Sequence, residues 1–329
     1  MAKLTDPKIV FLDEETLNFS DPHFDLGPLK KLGLYKGFKN TNASQLKNRV
    51  ALADIVITNK VPINKKNFSS FKNLKLVCVA ATGHNVIDSK LLAQNGIPVC
   101  NAHNYSQQSV VEQSILFLLA LNHRLHEFTQ ATQDGTWSRS THFCMTTLPF
   151  NNLKGKTLGI IGYGNIGKAV AKQAKQLGLK IIVAQIPGRQ YGKNSSHQKL
   201  QQVLKHADFI SIHCQLSELT NNLINKQSLK LLKPEASIIN MARGQVVNSK
   251  DLAFALKNNK IRSYASDVLE SEPPSRNHPL LQKSLKNKVL ITPHIAWSSL
   301  ESRQNLLIEI TKNIQAFKKG KTRNQVNLF

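Results

Sequence analysis

The sequence predicts an α/β protein with parallel sheets in two domains, the second of them doubly wound. Three observations predict it. The chain has 329 residues, which suits two domains at roughly 100–200 residues each. Short Val/Ile/Leu runs alternate with amphipathic helical stretches, as in βαβ units. One of those runs leads straight into a Gly-x-Gly-x-x-Gly string.

In chain order, the first strands are expected at Lys8–Leu12, Asp54–Thr58, Lys75–Val79 and Ile97–Cys100, short and apolar as buried parallel strands are. Helices are expected at Ser44–Ala51 and Asp88–Gln94, the second stopped by Asn95-Gly96. One long helix follows, Gln107 to Gln130, with Val111, Ile115, Leu118, Leu119 and Leu125 near the helical period. A loop covers Gln133–Leu153. The second series has strands at Thr157–Ile161, Lys180–Ala184, Phe209–His213, Ser237–Met241, Tyr264–Asp267 and Val289–Thr292. Between them lie helical patterns at Ile166–Leu177, Gln198–His206, Lys226–Leu232 and Lys250–Lys257, and a last helix covers Leu300–Phe317. Six strands with interleaved helices match a nucleotide-binding domain.

Composition bounds the function classes. Lys and Arg number 44 against 20 Asp and Glu, a formal charge of +24 with a pI near 10.0. The 41% of hydrophobic residues excludes a disordered polycation. The charge invites a nucleic-acid reading, but the lysines are scattered, as in Lys168, Lys172 and Lys175 against Lys226, Lys230 and Lys233, and no recognition-helix or zinc motif accompanies them. A solvated basic surface is the plainer reading. No apolar run approaches the ~20 residues of a membrane span, and Met1–Pro7 carries no signal-peptide pattern. Cys78, Cys100, Cys144 and Cys214 are widely spaced, as reduced thiols of a cytoplasmic protein would be.

Gly162-Tyr163-Gly164-Asn165-Ile166-Gly167 is weak evidence as a string and strong evidence in its context, between the strand Thr157–Ile161 and a helix. Gly162 permits the tight turn, Gly164 lets backbone approach a pyrophosphate, and Gly167 lets helix and strand pack closely. The helix N-terminus offers unpaired N–H groups and partial positive charge to phosphates. Where an NAD-specific site carries an acid for the ribose 2′-hydroxyl, the strand Lys180–Ala184 runs into Gln185. Glutamine bonds a hydroxyl without repelling a 2′-phosphate, and Arg189 and Lys193 follow close behind. The sequence therefore admits NADP(H) and leaves the choice between NAD and NADP open.

Three segments end successive strands: Asn240-Met241-Ala242-Arg243-Gly244, Asp267-Val268-Leu269-Glu270-Ser271-Glu272-Pro273-Pro274, and Thr292-Pro293-His294-Ile295-Ala296-Trp297. Ligands of open α/β sheets bind beyond the carboxyl ends of the strands. Singly, a strand-end Arg is usually a surface ion pair, Glu-Pro-Pro a turn, and Thr-Pro-His a cap. Together they fit reduction of a 2-oxo acid: Arg243 for the carboxylate, which its fork matches bidentately, His294 as the acid that protonates the developing alkoxide, and Glu272 to stabilise the charged imidazole.

With these residues in view, the sequence resembles the D-isomer-specific 2-hydroxyacid dehydrogenases over essentially its whole length, most of all the glycerate dehydrogenase (hydroxypyruvate reductase) branch. The family's Arg, Glu and His fall on Arg243, Glu272 and His294. Further matching segments are Ala81-Thr82-Gly83-His84-Asn85-Val86-Ile87-Asp88, Ser109-Val110-Val111-Glu112-Gln113, Gly135-Thr136-Trp137-Ser138-Arg139-Ser140 and His213-Cys214-Gln215-Leu216-Ser217. Gln185 and Gln215 depart from the family pattern, the latter replacing a proline.

The resemblance implies that Gly162, Gly164, Asn165, Ile166, Gly167, Gln185, Met241, Ala242 and Asp267 bind the cofactor, Asp267 through the nicotinamide carboxamide. It implies that Thr82, Gly83, Arg243, His294 and Trp297 bind substrate, the loop through its backbone amides. No metal is implied. Trp297 beside the acid histidine points to hydroxypyruvate and glyoxylate, giving D-glycerate and glycolate, rather than lactate or phosphoglycerate chemistry. It implies two Rossmann-like domains: a nucleotide domain, 101–298, inserted into a flavodoxin-like substrate domain, 1–100 completed by 299–329. It also implies a homodimer through the long helix and the Trp137 loop. The alternatives within the family are a cofactor-binding regulator, since it includes corepressors of the same fold, and another D-2-hydroxyacid dehydrogenase, acting on D-lactate or phosphoglycerate.

Overall fold

The computed structural model describes residues 6–192 and 194–327. By internal contacts the chain forms two units, Met1–Ser106 with Trp297–Phe329, and Gln107–Ala296.

The first unit holds a five-stranded parallel sheet of β1 (Lys8–Phe11), β2 (Leu34–Gly37), β3 (Ile55–Thr58), β4 (Leu76–Val79) and β5 (Val99–Cys100). The order β2-β1-β3-β4-β5 is that of flavodoxin-like sheets. β3 and β4 are buried along their whole length, as strands covered on both faces must be. One face packs on the C-terminal helix Leu300–Lys318 through Leu306, Leu307, Ile310, Ile314 and Phe317. The other packs on Leu46, Val50, Ile63, Phe71 and Leu92.

The second unit holds a seven-stranded parallel sheet of β6 (Thr157–Ile161), β7 (Lys180–Ala184), β8 (His197–Gln198), β9 (Phe209–Ile212), β10 (Ser237–Asn240), β11 (Ser263–Ser266) and β12 (Val289–Ile291). Its order, β12-β11-β10-β9-β6-β7-β8, reverses direction at β6 and β9, the switch point where doubly wound sheets bind ligands. Helices Gln107–Asn122 and Asn165–Gln176 cover one face through Val111, Phe117, Leu118, Val170 and Ala174. Helices Leu200–His206 and Ser249–Lys257 cover the other through Val203, Leu204, Leu252 and Leu256.

Several elements differ from expectation. β2 and β8 were not anticipated. β2 alternates exposed and half-buried residues at the sheet edge, and β8 has two residues, so neither shows an apolar run. The expected single helix Gln107–Gln130 is two, Gln107–Asn122 and Leu125–Gln133. The break falls at Arg124, whose φ is +53°. No Gly or Pro marks it. Arg124 instead forks onto Glu127, with Nε and Nη2 donating to the two carboxylate oxygens at 2.7 and 2.6 Å, while buried Asn122 donates to the Asn151 carbonyl at 2.7 Å. The helix expected at Gln198–His206 begins at Leu200, after β8, and that expected at Lys226–Leu232 closes at Leu229.

Candidate active site

The register of the second sheet builds the site. Ala184, Ile161, Ile212, Asn240, Ser266 and Ile291 form one row of paired residues across β7, β6, β9, β10, β11 and β12. The strands are parallel, so the chain leaves the row on one edge. The next residues are Gln185, Gly162, His213, Met241, Asp267 and Thr292. Arg243 and His294 come two residues further on their own strands. The row thus gathers side chains that sequence separates by more than a hundred positions.

At the switch point Gly162 has φ +104°, and a Cβ there would fall 2.4 Å from the Cys214 backbone nitrogen. A Cβ on Gly167 would fall 2.0 Å from the Gly162 carbonyl oxygen, so helix and turn touch. A Cβ on Gly164, the N-cap of helix Asn165–Gln176, would meet nothing within 4 Å. The middle glycine therefore borders open space at a twelve-residue helix N-terminus, a surface fitted to a phosphate. The residues present fit a dinucleotide pyrophosphate on these grounds. His213 adds a polar atom there: its Nδ1 is buried without a hydrogen-bond partner among the described residues, while Nε2 lies 2.8 Å from Ser211 Oγ. Burial pushes its imidazole down to about 4, so it is neutral at physiological pH.

Beyond β7, Gln185 is drawn onto β8. Its backbone N–H donates to the Gln198 carbonyl at 2.8 Å and its Nε2 to the His197 carbonyl at 3.4 Å, which leaves Oε1 as acceptor. Arg189 is exposed in the same loop, and Lys193 lies outside the described residues.

Beyond β10, Asn240 folds the turn that carries Arg243. Fully buried, it accepts the Ala242 N–H at 3.0 Å and donates to the Arg243 carbonyl at 3.0 Å. The Arg243 guanidinium donates to the Ala242 carbonyl at 2.7 Å and has no ion pair among the described residues. A half-buried cation without a counter-charge suits an anionic ligand.

Beyond β12, His294 stands at φ +55°, a left-handed conformation that costs a non-glycine residue of order 1–3 kcal/mol unless its surroundings hold it. Asp267 supplies the hold. Its Oδ1 accepts from Thr292 Oγ1 at 2.5 Å and the Ile295 N–H at 2.8 Å, and its Oδ2 accepts the Ala296 N–H at 2.9 Å. Three of its roughly four acceptor positions thus brace the histidine's turn. Burial pushes the Asp267 carboxyl up, and these bonds offset part of that. Ser109 ties the turn's far end, donating to the Ala296 carbonyl at 2.5 Å. His294 Nδ1 lies 2.6 Å from Glu272 Oε2, and Glu272 Oε1 accepts the Leu269 N–H at 2.9 Å. With Nδ1 on the carboxylate, Nε2 remains to exchange a substrate proton. The pair is 27% and 34% exposed, open enough to meet a ligand.

Residues 115–296 match the profile of the D-isomer specific 2-hydroxyacid dehydrogenase, NAD binding domain. The chain belongs to the D-isomer-specific 2-hydroxyacid dehydrogenase family. Among dehydrogenases of this kind it is 35% identical to a hydroxypyruvate reductase of Blautia hydrogenotrophica, over 97% of this chain and 99% of that one. It is 34% identical to a glycerate dehydrogenase of Methylorubrum extorquens, over 97% and 98%. A solved acyclic imino acid reductase (Bsp5), in complex with NADPH and D-Arg, superposes with a TM-score of 0.84 at 27% identity, over 97% and 99%. The two-sheet α/β fold is that of these dehydrogenases.

In the first unit, the loop at Thr82, expected from the sequence to bind substrate, is held by its own hydrogen bonds. Thr82 Oγ1 donates to the Ala102 carbonyl at 2.9 Å, and the Thr82 carbonyl accepts from Asn101 Nδ2 at 2.7 Å. The N–H groups of Thr82 and Gly83 donate to no acceptor among the described residues. Trp297 packs edge-on to Tyr105, with ring centroids 6.5 Å apart, at the margin of that unit's core. Sequence reasoning missed Asn240, Thr292 and Ser109. A polar residue ending an otherwise apolar strand was the available signal for Asn240.

Proposed function

We propose that this dehydrogenase reduces small 2-oxo acids with NAD(P)H, hydroxypyruvate and glyoxylate first among them, giving D-glycerate and glycolate. The observation that carries the reading is Arg243, without an ion pair among the described residues, beyond the same strand-end row as the Glu272–His294 pair. The nicotinamide, when bound, supplies the hydride. Arg243 binds the substrate carboxylate. His294 gives its Nε2 proton to the carbonyl oxygen as negative charge develops there, and Glu272 compensates the imidazolium before transfer. Such proton transfer contributes typically 10²–10⁴-fold. Asp267 holds the histidine's turn, with about one acceptor position left for a cofactor amide. The names of the Blautia and Methylorubrum relatives support hydroxypyruvate and glycerate as the substrate pair.

Cofactor choice follows from Gln185, which presents no carboxylate to a 2′-phosphate, so the protein accepts NADP(H) as well as NAD(H). The exposed Leu116, Leu125, Trp137, Phe143 and Phe150 of the helix pair and following loop favour a homodimer, which sedimentation would test. No helix among the described residues is long and apolar enough to cross a membrane. The widely spaced free cysteines favour a cytoplasmic protein.

The deciding experiment follows NADH and NADPH oxidation with hydroxypyruvate, glyoxylate, pyruvate and 3-phosphohydroxypyruvate. Turnover highest with the first two supports the reading. No turnover with any 2-oxo acid sinks it. Gln185→Asp should raise the NADH/NADPH preference ratio, and an unchanged ratio refutes the role given to that position.

A further inference from the structure

Two residues before Glu272, a second acid sits in a cluster that the reaction above does not use. Glu270 Oε2 accepts from Ser249 Oγ at 2.8 Å and lies 3.0 Å from His278 Nε2. His278 is buried, and its Nδ1 accepts the Leu280 N–H at 3.2 Å. A neutral imidazole that accepts at Nδ1 carries its proton on Nε2, which lies 3.0 Å from Glu270 without the alignment of a hydrogen bond. Burial raises the Glu270 carboxyl, and its own backbone, Ser249 and His278 outweigh that and hold it below its usual range.

The same turn is anchored through its main chain. Gln245 Nε2 donates to the Glu270 carbonyl at 3.1 Å. Gly244, next to Arg243, presses so closely on this turn that a Cβ would fall 1.9 Å from the Leu269 carbonyl carbon. From there two contacts lead to the acid: the Leu269 N–H donates to Glu272 Oε1 at 2.9 Å, and Glu272 Oε2 lies 2.6 Å from His294 Nδ1. The segment between β11 and the short helical turn at Pro279–Leu281 contains no helix or strand. Anchoring is what keeps Glu272 in one place, since unanchored loop residues retain conformational freedom that must be lost to hold a geometry.

We propose that Ser249, Glu270 and His278 form a positioning cluster that fixes the Leu269–Glu270 turn, and through it sets the Glu272 carboxylate on His294 in register with the Arg243 turn. The proposal rests on the roles given above to Glu272 and His294. The three residues touch neither substrate nor cofactor in this account, and they act by placing a group that does.

The test compares His278→Leu, which removes the polar ring beside Glu270, with His278→Gln, whose amide keeps a donor at that position. Four quantities are measured: kcat, KM for each substrate, the isotope effect on kcat with deuterated NAD(P)H, and the downfield proton NMR signal of the His294 Nδ1–H in the substrate-free enzyme. An ångström of misplacement can cost about 10²-fold. With Ser249 and Gln245 still in place, His278→Leu should lower kcat about tenfold, raise the isotope effect, broaden the Nδ1–H signal, and leave the cofactor KM within about twofold. His278→Gln should recover most of kcat and the signal. An unchanged kcat and signal in His278→Leu overturns the proposal. So does a lowered kcat that tracks only the unfolded fraction in a melting curve and is not rescued by His278→Gln. If His278→Leu does not fold, Ser249→Ala is read in its place by the same criteria. The NMR signal needs no turnover. A signal lost in the variant from a wild-type protein inactive on every 2-oxo acid would refute the reductase reading and leave the positioning cluster standing.

Discussion

Asp267→Asn is the sharpest perturbation of the His294 turn, because it keeps the side chain's shape and changes what it can accept. The carboxylate takes the Thr292 hydroxyl and the Ile295 N–H on Oδ1 and the Ala296 N–H on Oδ2. An asparagine oxygen can keep the first two. Its NH₂ then faces the Ala296 N–H, two donors with no acceptor between them. A hydrogen bond to a charged group is worth roughly 1.5–3 kcal/mol, and a buried unsatisfied donor costs about 1–3 kcal/mol. Against this stands relief of a buried charge, since burial is the largest influence on the Asp267 carboxyl and pushes it up. The net expectation is about 1–2 kcal/mol of destabilisation. The kinetic effect is larger, because the lost bond braces the strained φ of +55° at His294 and misplacement by an ångström can cost about 10²-fold. Equilibrium denaturation with urea reads the first quantity, and kcat with hydroxypyruvate the second. A variant with kcat within twofold of wild type and stability within about 0.5 kcal/mol would refute the bracing role.

The remaining predictions concern the substrate cation, the phosphate turn and acid stability. Arg243→Lys keeps the charge and loses the fork, so the KM for the 2-oxo acid should rise about 10–100-fold with the cofactor KM little changed; an unchanged substrate KM contradicts the assignment. Gly164→Ala should leave the melting temperature nearly unchanged, because its Cβ meets nothing within 4 Å, yet weaken NAD(P)H binding measured by fluorescence, whereas Gly167→Ala should destabilise the fold, its Cβ falling 2.0 Å from the Gly162 oxygen; equal effects on both properties would contradict the two roles. Burial raises Asp208, but Lys233 at 2.9 Å and the Thr157 N–H at 2.8 Å outweigh it and hold the carboxyl below its usual range, so its contribution is full above about pH 4 and is lost as pH falls further. His213, held down near 4 by burial, acts with the same sign between about pH 6.5 and 4 and accounts for up to about 3 kcal/mol. His213→Gln should flatten stability over that window, and an unchanged slope refutes the burial argument.

What the sequence made legible depended on burial. β6 and β7 fall on the expected Thr157–Ile161 and Lys180–Ala184, because strands inside a two-faced sheet must be apolar along their length. β2, Leu34-Tyr35-Lys36-Gly37, lies at an edge with one side exposed and carries no such constraint. The break at Arg124 depends on a side-chain fork to Glu127 and has no local breaker residue. In the site, the glycines and the Arg, Glu and His stand out in the sequence because the chemistry expected of them calls for those residue types after strands. The brace around them could not. Asn240 and Asp267 act on turns through hydrogen bonds set by three-dimensional register, and the Asp267 partners lie 25 to 29 positions away. The +24 charge, which invites a nucleic-acid reading, is informative mainly at one place, Arg243, which has no ion pair among the described residues.

The central claim is that His294, held by Glu272 and the Asp267 turn, delivers the proton in 2-oxo acid reduction. Its most direct test is the single-turnover rate of hydroxypyruvate reduction at saturating NAD(P)H, wild type against His294→Gln. The expected result is D-glycerate formation by the wild type and a rate about 10²–10⁴-fold lower in the variant, with NAD(P)H binding retained. A His294→Gln rate close to that of the wild type would contradict it.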